Sequence, residues 1–74
     1  MNTERTVAIA EWTKLLDDVV ALLESPGIHH KELLSVANSL FLTKTIDRDD
    51  LSDMLELADG ALAYAIEAQL GSEP

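Results

Sequence analysis

No cysteine occurs among the 74 residues, so neither a disulfide nor a thiolate metal site is available. That fits a reducing compartment, and a cytoplasmic location is expected. Aromatic residues are almost missing as well: Trp12, Phe41 and Tyr64 are the whole set. Two prolines and three isolated glycines leave no Gly-rich loop to cradle a phosphate ahead of a helix. No apolar run approaches the roughly 20 residues that a bilayer span requires. The segment Met1 to Thr6 lacks a basic patch leading into an apolar stretch, so a signal peptide is not expected and a soluble protein is.

Basic residues are scarce, and unevenly so. Residues 47–74 hold eight acids against Arg48 alone, a net of −7; residues 1–46 hold six acids and four bases, a net of −2, for −9 in all. Such a surface repels nucleic-acid phosphates and anionic membranes, so direct binding to either is not expected. A protein partner is, one with a basic surface.

Leucine and alanine supply the bulk of the apolar residues, thirteen and nine of them in a chain that is 47% apolar. Both favour helix, whereas strands draw on β-branched and aromatic residues, so the composition points to an all-α fold. A length of 74 residues makes one domain, 1–74, near the lower limit for a single apolar core without staples.

The punctuation divides this domain into three helices. The first is expected over about 4–24, where Ala8, Ile9, Trp12, Leu15, Leu16, Val19, Val20, Leu22 and Leu23 recur at spacings of three and four. Ser25-Pro26-Gly27 ends it. A second helix is expected over about 29–43, burying Leu33, Leu34, Val36, Ala37, Leu40 and Phe41, with no strong N-cap before it. The third is expected over about 48–70. Asp47 is its N-cap, Ile46 and Leu51 have the spacing of a hydrophobic staple, and Asp49 and Asp50 lie in the first turn where the helix dipole favours acids. Short links between three helices predict a small up-down-up bundle, a helical hairpin with a short middle helix.

On a helical wheel the third helix carries an apolar arc of about 200°. One flank holds Leu51, Leu55, Leu62 and Ile66, the other Met54, Leu57, Ala61, Tyr64 and Ala68. That exceeds what one neighbour covers. In a chain with so little core, the surplus predicts a homodimer in which one flank meets a second copy, rather than a monomeric bundle that packs both flanks inside, with Met54, Leu57, Ala61, Tyr64 and Ala68 as interface candidates. Leu42 joins them because it falls on the polar side of the second helix.

Asp49, Asp53 and Glu56 follow at i, i+4 and i+7, with Asp59 beside them, and form the candidate acidic interaction stripe. It is not a calcium loop. Counted from Asp47, an EF-hand would place Leu51, Ser52 and Ala58 where a ligand, the glycine and the closing glutamate belong. His29 and His30 are adjacent, hence about 100° apart on a helix, and do not chelate one ion as an i, i+4 pair does. They read as a surface pair opening the second helix. No metal or other cofactor is expected. Ser35, Ser39 and the threonines have no partnered base and no nucleophile elbow, so no catalytic residue is assigned and the chain is not expected to be an enzyme.

Acyl carrier proteins are similar in size, helicity and acidity. Their Asp-Ser-Leu motif has its nearest counterpart in Asn38-Ser39-Leu40, with the aspartate replaced and the serine in mid-helix. The four residues Ser25 to Ile28 also replace the long loop that precedes the motif helix in that family, so the resemblance stops at size and charge.

The expected role is a small acidic interaction module that regulates or inhibits a partner protein, in the manner of short proteins of phages and mobile elements. The alternatives are a nucleic-acid mimic that blocks a DNA- or RNA-binding protein, and a chaperone or subunit of a larger assembly.

Overall fold

Asp18 interrupts the helix that the apolar pattern would continue. Its backbone leaves the helical region, with φ −75° and ψ 85°, and its carboxylate accepts a hydrogen bond from the Ala21 amide. Aspartate offers the backbone this alternative partner more readily than it sustains a helix interior. The computed structural model describes residues 3–71, and in them the expected first helix is two: α1, Thr3–Leu16, and α2, Val19–Glu24.

A single residue separates α2 from α3, Pro26–Leu42. The Ser25 amide donates to the Ala21 carbonyl and closes α2, while its carbonyl accepts from the His29 amide and opens α3. Pro26 occupies the first turn of α3, where its missing N–H would have had no helical partner. The proline that ends one helix therefore starts the next, and α3 begins three residues before the expected position.

The link from α3 to α4, Arg48–Gly71, is a Schellman motif with lysine where glycine is usual. Lys44 has φ 63°, its amide donates to the Phe41 carbonyl, and the Thr45 amide donates to the Leu40 carbonyl. Beyond it, Asp47 accepts from the Asp50 amide at 2.8 Å, and the Asp50 carboxylate accepts from the Asp47 amide. This is a reciprocal N-cap built from two aspartates. Residues 72–74, expected as a tail, lie outside the described residues.

Four α-helices, and no strand, are thus present among the described residues. Their envelope measures 51 × 18 × 16 Å, and α4 supplies most of the long axis, since 24 residues rise about 36 Å. The most extensive pairing is between α3 and α4, with α1 and α2 laid along that pair. Trp12, Leu33, Ala37, Ile46, Met54 and Ala58 form the core. The Trp12 indole N–H donates to the Leu33 carbonyl at 2.9 Å, so the one polar atom of the largest core side chain is satisfied. No helix among the described residues is long and apolar enough to cross a membrane.

His29 corrects the expectation of a surface histidine pair. It is buried in α3, and its Nε2–H donates to the Leu15 carbonyl at 2.8 Å. That carbonyl lies at the end of α1, where no succeeding turn of α1 uses it fully. The break at Asp18 is therefore sealed from below by a histidine. His30, one position on and part-exposed, instead meets Asp59 of α4 at 2.8 Å.

Candidate docking groove

Apolar surface is left open on α4, and more of it on one flank than on the other. Met54, expected there, belongs to the core at 3% exposure, because α1 covers its position with Trp12 and Ile9. Leu57 and Tyr64 stay open at 54% and 58%, Ala68 is exposed, and Ala61 is half-buried. On the opposite flank Leu51, Leu55 and Leu62 are half-buried and Ile66 is exposed.

The open flank faces the corner between α1 and α2. Since α1 stops at Leu16 and α2 sets off again at Val19, no side chain of the described residues fills the space over Leu57 and Tyr64. A groove of about 520 Å³ results, floored by Leu16, Leu22, Leu57 and Ala61 and bounded by Val19 and Tyr64. A smaller hollow of about 230 Å³ continues it along the α1–α4 seam past Ile9 and Thr13, with Leu57 common to both. Asp17 and Glu56 stand at the edge of the larger space, and Asp53 at the edge of the smaller.

Of the predicted acidic stripe, the fold thus brings Asp53 and Glu56 to the groove. Asp59 turns toward α3 and is taken by His30. Asp49 remains exposed in the first turn of α4, away from both hollows. Asp49, Asp53 and Glu56 have no ion-pair partner among the described residues.

The seam is closed at one end by a pair that residue spacing could not reveal. Arg5 Nε donates to the Asp50 carboxylate at 2.7 Å, and a second guanidinium nitrogen bonds its other oxygen. This forked contact from Arg5 is the main reason the Asp50 carboxyl is held down at about 2, and the same hydrogen bond raises the Arg5 guanidinium further. Leu42, the remaining interface candidate, is 78% exposed but lies on another face, beside the α3–α4 link. Among the described residues no three histidine or acidic side chains are grouped as a metal would need.

The groove has an apolar floor, exposed aromatic and aliphatic side chains in Tyr64 and Leu57, and a charged rim. Protein-family models, curated proteins and solved structures were compared with this chain, and none of them matches.

Proposed function

We propose that this chain is an acidic docking module whose α1–α4 groove receives a basic amphipathic helix of another protein, and that it regulates or blocks that protein by occupying the helix. The observation that supports this reading is one apolar groove rimmed on both sides by acids: Asp17 on the α1 side, Asp53 and Glu56 on the α4 side. A helix presenting leucines at i, i+3, i+4 and i+7 fits such a trough, and lysines or arginines along its borders meet the rim. The rim sets orientation and speed of encounter, while the floor holds the partner. In the same reading α1 and α2 together form the first arm of an up-down-up bundle.

Self-pairing competes for the same flank, and Gly60, Ala61 and Ala68 would let two α4 helices approach closely. Against it stands charge: a second copy sets acid rim on acid rim, in a molecule of net −9. The mimic reading draws on the unpaired Asp49, Asp53 and Glu56 alone, without the groove.

A synthetic Leu/Lys amphipathic helix, titrated against 15N-labelled protein, tests these readings. Docking in the groove predicts saturable shifts centred on Leu16, Val19, Leu57 and Tyr64, abolished by Leu57→Asp and only weakened by salt. Shifts confined to Asp49, Asp53 and Glu56, lost at 0.5 M salt and indifferent to Leu57→Asp, favour the mimic instead, with screening at about 4 Å at that ionic strength. Light scattering over a dilution series decides self-pairing: a dimer that the peptide cannot dissociate would replace the docking reading.

A further inference from the structure

Three of the five basic residues of this acidic chain line a single groove, beyond the Arg5–Asp50 pair that closes the α1–α4 seam. Arg5, Lys44 and Arg48 border a space of about 620 Å³ whose apolar wall is Phe41, Leu42 and Ile46. This size lies within the range of small-molecule sites. Arg5 is engaged by Asp50, and the carboxylate of Asp47, the one acid among the described residues that borders the groove, accepts from the Asp50 amide. Lys44 and Arg48 have no ion-pair partner among the described residues. In a chain with acids to spare, two cations without a carboxylate partner beside an apolar wall are an arrangement that folding does not require.

Two further features agree. Lys44 adopts φ 63°, a region that a side chain bearing a Cβ enters at a cost, where glycine would close the same motif freely. Backbone held this way is found where a side chain is needed in place. Leu42 is 78% exposed at the end of α3, where a polar residue would serve the helix equally well. Together they give one groove an ammonium, a guanidinium and an uncovered leucine.

We propose that this groove binds a small amphipathic organic anion: a carboxylate or phosphate monoester head held between Lys44 and Arg48, with an aliphatic tail along Phe41 and Leu42. The head gains charge-assisted hydrogen bonds from two differently shaped donors, and the tail covers apolar surface now open to water. The net charge of −9 repels anions at long range, so binding depends on local contacts and on the tail rather than on steering.

Octanoate and octyl phosphate are the probes, with acetate and 1-octanol as controls for head and tail alone. Heteronuclear NMR titration is expected to give saturable shifts over Phe41 to Arg48 for at least one of the two anions, and the better one identifies the head. Each control is expected to bind at least about tenfold more weakly. The variant Lys44→Asn with Arg48→Gln keeps a residue tolerant of the left-handed region and should weaken the anion about tenfold or more, with the circular dichroism spectrum unchanged. Leu42→Ser should weaken it by a smaller factor. Octanol binding as tightly as octanoate, shifts centred on Leu57 and Tyr64, or an unchanged affinity in the double variant would each overturn the proposal. A failure of this kind leaves the docking groove untouched, because the two surfaces share no apolar residue.

Discussion

Met54, Ala58 and Ala65 line one face of α4 and are almost wholly buried, while Leu57, Tyr64 and Ala68, about 80° further round the same helix, remain open. Both sets are a large apolar residue or two with alanines between, so residue type does not separate them. What separates them is coverage. Trp12 reaches the first set from α1, and the second faces the corner where α1 has ended and α2 has not yet begun. The break at Asp18 therefore also bounds the corner over which the groove lies.

The comparison is tested hardest by truncating one residue from each set of contacts. Trp12→Ala removes the largest core side chain and its hydrogen bond to Leu33, and is expected to cost about 3–5 kcal/mol. A domain of this length has roughly 4–11 kcal/mol in total, so the urea midpoint should fall by about a quarter or more. Tyr64→Ala, on the open flank, is expected to stay within about 0.5 kcal/mol of the parent. Equal losses from the two would mean that the flank is not open at all.

Asp18→Ala probes the corner itself. Loss of the side-chain cap on Ala21 should cost about 1 kcal/mol, measured by chemical denaturation. Helicity by circular dichroism is expected to hold or rise, because alanine permits α1 to run into α2. Peptide binding in the groove should fall at the same time. A stability loss with binding intact would separate the corner from the groove.

These features differ in how far residue patterns disclose them. The start of α4 was legible because the Asp47 cap is local chemistry, settled within four residues. The wide apolar arc was legible too, since it needs only the 3.6-residue period. Which flank of it would be covered was not, because that depends on where α1 stops. The Asp17-Asp18 pair was in plain view, yet nine apolar residues in helical register outweighed it. Pro26 was ambiguous for a physical reason: a residue without an N–H both ends a helix and suits the first turn of the next. His29 looked solvent-facing beside His30, yet it is buried against the end of α1, where it shares the Leu15 carbonyl with the Asp18 amide. The Arg5–Asp50 pair joins residues 45 apart, a distance no spacing rule spans.

That pair separates the acidic groove from the basic one, and acid should loosen it. Asp50 titrates at about 2 in the folded chain against an ordinary value of 3.8. Because the folded value is the lower one, its contribution is complete above pH 3.8 and fades as the pH falls toward 2. Asp50→Asn lacks that contribution at every pH. Thermal melts should therefore show parent and variant converging over this window, with the parent ahead above it. Parallel curves would mean that the forked contact is not formed in solution.

The smallest effect expected concerns Lys44, and it runs in the opposite direction. Left-handed backbone costs a residue with a Cβ about 1–2 kcal/mol, and glycine gives back roughly 0.5–1 kcal/mol of that in added unfolded-state freedom. Lys44→Gly should then stabilise the chain by about 0.5 kcal/mol, read as a small rise in the urea midpoint. The same substitution deletes one of the two cations without a partner in the basic groove. A chain that grows more stable while losing octanoate shows that lysine is there for the groove and not for the turn. Were Lys44→Gly destabilising, the ammonium would be holding the α3–α4 link together, and the strain at this position would need no ligand to explain it.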